Sequence, residues 1–224
     1  LWTGGKVRIE PWDMFINTEK IEKDHAVVSV KLCISSDMEA AAEINLEILD
    51  GESVIQKEQI KINVQNGKND CEAAFDIKNP KLWDCDSPKL YTLRVTINAD
   101  GKTEDTAENQ FGIRTISADS KNGILINGKS VKLKGGCIHH DHGVLGSAEF
   151  PAAVERKIKR LKSVGYNAVR ISHYPPSLVL LEICDRLGMF VMDEAFDMWN
   201  VPKNDMDYSL WFRDWWQRDI SYMV

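Results

Sequence analysis

The period of the apolar residues changes once along this chain, and that change restricts the fold more than any other feature. Between residues 26 and 116 the period is two. Ala26, Val28, Val30, Leu32 and Ile34 alternate with polar neighbours such as Ser29 and Lys31. The runs Ile44, Leu46, Ile48; Ile60, Ile62, Val64; Cys71, Ala73, Phe75, Ile77; and Tyr91, Leu93, Val95, Ile97 repeat the pattern. Such alternation sets one strand face on a core and the other in water. Turn pairs separate the runs: Asp50-Gly51, Asn66-Gly67, Asn79-Pro80 and Asp100-Gly101. Short strands at this spacing, with no helical signal between them, predict an antiparallel β-sandwich of immunoglobulin-like size. Nothing in this half gathers reactive side chains, so it reads as a structural module.

After residue 117 the pattern becomes mixed. Ile124-Leu125-Ile126, Asn127-Gly128 and Val131-Lys132-Leu133 predict a small hairpin. A strand follows into Gly135-Gly136-Cys137-Ile138. Pro151 suits the first turn of a helix carrying Val154, Ile158 and Leu161, with Gly165 past its end. Ala168–Ile171 reads as a buried strand. Ser177 caps a second helix with Leu178, Leu181, Cys184 and Leu187, closed by Gly188. Met189–Met192 is a third strand, and a last helix aligns Phe212, Trp215, Trp216, Ile220 and Met223. This β-α-β-α-β-α order predicts a parallel sheet with both faces covered. Three such units are too few to close an eight-stranded barrel of roughly 250 residues, so the expected element is the opening part of one.

Polar clusters follow each predicted parallel strand: His139-His140-Asp141-His142, then Ser172-His173-Tyr174-Pro175, then Asp193-Glu194 with Asp197-Met198-Trp199. In a barrel the C-terminal strand ends form one mouth, where active sites lie. Any single loop histidine, or Trp199 alone, is equally explained by packing; three successive strand ends with the same habit are not. Cys137 has no neighbouring base in the sequence and reads as a small hydrophobe. Two chemistries fit. One is a metal-dependent amidohydrolase-like barrel using His140 and His142, whose H-x-H spacing can aim two imidazoles at a divalent metal. The other is a glycosidase, which needs hydrogen-bonding side chains around a sugar, an aromatic platform and two carboxylates. A non-catalytic β-sandwich binding module is the reading outside enzymology.

Composition narrows the partners. The chain has 224 residues, 43% hydrophobic and 28% charged, with a net charge of -6. An acidic balance disfavours nucleic acid, whose phosphates call for a basic face. No run approaches the roughly 18 apolar residues of a membrane span. The five cysteines are scattered without a CxxC pair, so free thiols and a cytoplasmic location are expected. The sequence opens on Leu1-Trp2-Thr3 without an initiator methionine, which suggests a piece of a longer chain.

Three stretches decide between the chemistries. LKGGCIHHDHG, VGYNAVRISHYPPS and CDRLGMFVMDEAFDMW resemble, in order and spacing, the first three barrel strands of glycoside hydrolase family 2, the β-galactosidase and β-glucuronidase family. LWTGGKVRIEPWD is similar to the exit of that family's jelly-roll domain. PKLWDCDSPKLYTLRV and FGIRTIS resemble the end of its immunoglobulin-like domain. The resemblance implies three segments: residues 1–19 as the jelly-roll exit, 20–117 as the immunoglobulin-like sandwich, and 118–224 as the first three βα units of a TIM (β/α)8 barrel. It implies a retaining β-glycosidase of β-galactosidase type, acting on a carbohydrate substrate, with a homo-oligomer for the full-length enzyme. Its acid/base and nucleophile glutamates are expected beyond Val224. Position by position, His140 and His173 match the sugar-binding histidines, and Asp193 and Glu194 match a supporting Asp-Glu pair. Trp199 is expected as a sugar platform, His142 as loop support, and His139 has no assigned role. Members that hold magnesium carry a glutamate and a histidine where this chain has Met198 and Asn200, so no metal and no cofactor is expected.

Overall fold

The structure is a computed structural model that describes residues 4–223, the side chains of Pro11 and Trp12 excepted. Two compact units are present: one holds the residues up to Asp84 together with Lys89–Val131, the other Cys85–Pro88 together with the residues from Lys132 onward.

The first unit is a sandwich of seven strands: β1 (Val7–Ile21), β2 (His25–Ser36), β3 (Ala40–Asp50), β4 (Ser53–Val64), β5 (Gly67–Lys78), β6 (Tyr91–Ala99) and β7 (Lys102–Phe111). They form two antiparallel sheets, ordered β1-β2-β5 and β4-β3-β6-β7. The alternating residues named above fill the space between them. Val28, Val30 and Ile34 of β2, Ile44, Leu46 and Ile48 of β3, and Leu93, Val95 and Ile97 of β6 are all buried. The turns take the conformations their residues suit: Asn79, Asp100 and Gly101 have φ of 47°, 50° and 73°, in the left-handed region that Asn, Asp and Gly tolerate. Leu93 is fully buried, so Leu93→Ala is expected to cost about 2–5 kcal/mol in denaturant unfolding. A loss below about 1 kcal/mol would mean the site collapses around the gap.

Two strands escape the simple alternation. β1 covers residues 7–19 of the expected jelly-roll exit, whose first three residues lie outside the described ones, and it pairs along β2 as an outer strand of the sandwich. Its register shifts between Ile9 and Met14 and again between Thr18 and Lys20, which breaks the period of two. β7 is an edge strand rich in charge, with only Phe111 buried, as edges commonly are.

The predicted hairpin is present as β9 (Gly123–Ile126) and β10 (Lys129–Ser130), turning on Asn127 and Gly128 at φ 50° and 74°. β8 (Ile116–Asp119) adds to it in the order β10-β9-β8. The expected boundary at 117 falls inside this small sheet, which belongs to the first unit by its contacts.

In the second unit β11 (Gly135–Ile138), β12 (Ala168–Ile171) and β13 (Phe190–Met192) run parallel in sequential order. α1 (Pro151–Ser163) and α2 (Leu178–Leu187) are the crossovers. Pro151 occupies the first turn of α1, where its missing N–H costs nothing. The Ser177 hydroxyl accepts from Leu180 N–H at 3.2 Å, and Gly188 closes α2 at φ 74°. Val154 and Ile158 of α1, Val169 and Ile171 of β12, and Leu180, Ile183 and Cys184 of α2 form one core.

Two expectations need correction. Only one face of this sheet is covered among the described residues. Cys137, Arg170 and Met192 stand side by side in register on the other face, and all three are exposed. Cys137 is therefore no buried hydrophobe; its Sγ accepts from the Arg170 guanidinium at 3.3 Å. The apolar face of α3 (Phe212–Ser221) is likewise not buried. Phe212 meets Phe196 and Tyr208 at ring distances of 5.3 and 6.3 Å, while Trp215, Trp216 and Ile220 remain solvent-accessible.

Candidate active site

The C-terminal ends of β11, β12 and β13 bring their polar residues together. His139 is exposed, and its ring lies 5.9 Å from that of His173 in a T-shaped arrangement and 6.3 Å from Tyr174. His140 sits one layer behind. Its ring packs on Tyr174 at 4.7 Å, its backbone N–H donates to the Tyr174 hydroxyl at 3.0 Å, and its Nε2 is buried. The adjacent histidines differ in exposure, although both rings neighbour Tyr174. The histidine beside His173 is the one the sequence left without a role.

His173 is oriented from the third strand end. Its Nδ1 lies 2.8 Å from Glu194 Oε2. A carboxylate only accepts, so Nδ1 carries a proton, and in the neutral ring Nε2 is left as an acceptor. The other oxygen of Glu194 forms a close ion pair with Arg170 of β12. Arg170 thus holds Glu194, and Glu194 holds His173. The supporting role implied for Glu194 has a physical basis here. Partial burial pushes the neighbouring Asp193 carboxyl up to about 6, and the charge of Glu194 adds to the rise. Trp199 is exposed in the loop after β13 and makes no ring contact with either histidine among the described residues.

The loop after β11 is pinned from α1. Lys157 Nζ donates to the carbonyls of His139 and Asp141 at 3.1 and 2.6 Å and to the Asp141 carboxylate at 2.7 Å. That ammonium holds the Asp141 carboxyl below its ordinary range. A fourth acid, absent from the sequence reading, sits deeper. The nearly buried Glu149 carboxylate places one oxygen 3.5 Å from His140 Nε2 and the other 3.5 Å from His142 Nε2. These are close contacts without hydrogen-bond alignment, since both Nε2 atoms lack a bonded partner. Glu149 also accepts a short hydrogen bond from the Ser177 hydroxyl. Only its place just before the Phe150 cap of α1 could have marked it, and that says nothing about two histidines. Among the described residues no three His, Cys, Asp or Glu side chains converge as a metal site would require.

The same parts occur in known proteins. Residues 7–114 match the model for glycosyl hydrolases family 2, and residues 118–207 match the TIM barrel domain of that family. A β-galactosidase of Bacteroides ovatus is 33% identical over 98% of this chain and 26% of its own length. A β-glucuronidase of Bacteroides fragilis is 28% identical over 81% of the chain and 26% of its own. The crystal structure of a family 2 glycosyl hydrolase from Bacteroides cellulosilyticus superposes with a TM-score of 0.93 at 38% identity, covering 98% of this chain and 29% of that one. The chain spans about a quarter of the length of these relatives. The strand-end histidines and acids thus stand on the opening barrel strands of a known fold, and the chain belongs to glycosyl hydrolases family 2.

Proposed function

We propose that this chain supplies the sugar-binding wall of a retaining β-glycosidase of β-galactosidase type. The observation that carries the reading is the group formed by His139, His173, Glu194 and Arg170 at three consecutive parallel strand ends. With Nδ1–H committed to Glu194, Nε2 of the neutral His173 ring can accept a hydrogen bond from a sugar hydroxyl. His139 is the second contact, and Trp199 is a candidate platform for a sugar face. Bonds to ring hydroxyls that tighten as oxocarbenium charge develops favour the transition state over the bound substrate. The acid/base and nucleophile glutamates, about 5–5.5 Å apart in retaining enzymes, are assigned to the part of the full-length protein beyond residue 224. His140 becomes a support for Tyr174, and His142 a support for the loop. At the positions where magnesium-holding members carry acid and imidazole, Met198 offers a soft thioether. Mg²⁺ prefers oxygen ligands, so Met198 does not fit that ion.

Aryl β-galactosides and β-glucuronides offered to the full-length protein test the reading. The galactoside is expected to be the better substrate, and His139→Ala and His173→Ala are each expected to lower kcat/KM about 10- to 100-fold. No hydrolysis of any aryl β-glycoside by the full-length protein would overturn it, and a preference for the glucuronide would overturn the galactosidase assignment.

A further inference from the structure

We infer that Glu149 is a positioning residue that ties the first two strand-end loops of the site together; the inference rests on the glycosidase reading. Glu149 belongs to neither loop's polar cluster. Its carboxylate touches the first loop through His140 and His142, at 3.5 Å each, and the second through the Ser177 hydroxyl. Both ends of that bridge lead to residues that face the sugar. His140 packs on Tyr174 and donates its N–H to the Tyr174 hydroxyl, and His139 precedes it directly in the chain. Ser177 is the N-cap of α2, four residues beyond His173.

A carboxylate this deeply placed must be compensated by donors or positive charge. Its neighbours are two imidazoles and a hydroxyl, and each gains from it in turn. The anion favours the tautomer that carries hydrogen on Nε2 in each ring, although neither N–H is aligned for a hydrogen bond. Ser177 donates its proton to Glu149 and keeps a lone pair for Leu180 N–H, so one hydroxyl serves both the carboxylate and the helix cap. One buried charge therefore fixes the spacing of His139 and His173, the two contacts that must meet one sugar ring. A misplacement of about 1 Å at such contacts costs on the order of 100-fold in rate.

The test uses the full-length protein with Glu149→Ala and Glu149→Gln. Glu149→Ala removes both ends of the bridge, and kcat is expected to fall about 10- to 100-fold while KM changes less than about threefold. Glu149→Gln keeps an acceptor for Ser177 but not the charge between the imidazoles, and is expected to recover part of the rate. Hydrogen exchange read by mass spectrometry is expected to speed up in Glu149→Ala over residues 139–146 and 173–180 together. A folded Glu149→Ala enzyme with wild-type kcat, or faster exchange in one loop only, would overturn the inference. If Glu149→Ala does not fold, Glu149→Gln decides: wild-type kcat and exchange overturn the inference, and a partial loss of rate with faster exchange in both loops supports it. If the wild-type protein hydrolyses no aryl β-glycoside, the glycosidase reading fails and the exchange experiment alone decides the tie.

Discussion

Gly135→Ala is expected to destabilise the α/β unit by at least about 3 kcal/mol, among the larger effects a single added methyl can have. Gly135 pairs with Ala168 in the parallel ladder of β11 and β12. A Cβ at 135 would fall inside the van der Waals envelope of the Ala168 carbonyl oxygen and 2.7 Å from its carbonyl carbon. The obstacle is backbone, which has no rotamer to change, so the two strands must part. Gly136 is the control. A Cβ there would meet only the Tyr166 side chain, its hydroxyl at 3.7 Å and a ring carbon at 3.9 Å, which is ordinary contact. Gly136→Ala is therefore expected to stay within about 1 kcal/mol of wild type. Denaturant unfolding of the two variants side by side checks both, and equal stabilities would show that the strands do not approach as closely as described.

The second large effect is on activity. Glu194→Ala in the full-length enzyme is expected to lower kcat/KM about 100-fold. The substitution leaves the Arg170 guanidinium without its carboxylate and His173 without the acceptor that fixes its tautomer. Glu194→Gln is expected to lose less, about 10-fold, because the amide oxygen still accepts from Nδ1–H while the charge opposite Arg170 is gone. Steady-state kinetics on one aryl β-glycoside suffices. Rates within about threefold of wild type for both variants would show that His173 is held by something other than Glu194.

Much of this fold is legible in the sequence, because burial follows period. The buried residues of β2, β3 and β6 are the alternating ones, and the capping roles of Pro151, Ser177 and Gly188 follow from the chemistry of those side chains alone. The misreadings share a cause: each depends on what lies across from a residue. β1 loses its period at its register shifts. Cys137 and the tryptophans of α3 look like core, yet no element of the described chain covers them. Which of the adjacent His139 and His140 lies beside His173 is likewise not given by spacing, since both leave the same strand end. Glu149 meets Ser177 across 28 positions of chain, a distance that no local pattern reports.

The four residues Cys85–Pro88 carry a consequence for modularity. They lie within the sandwich's stretch of sequence but belong to the α/β unit, where Lys162 Nζ donates to the Cys85 carbonyl at 2.5 Å and the Gly188 carbonyl at 2.8 Å. Gly188 also leaves the Cys85 carbonyl its room, since a Cβ there would lie 3.0 Å from that carbonyl's carbon. A single cut after Val131 would therefore separate the α/β unit from part of itself and strip Lys162 of one of its two acceptors. The two units are adjacent in the chain without being detachable from it. A chimera that exchanges the sandwich for another must carry these four residues across, or the recipient will inherit a half-buried ammonium short of a partner.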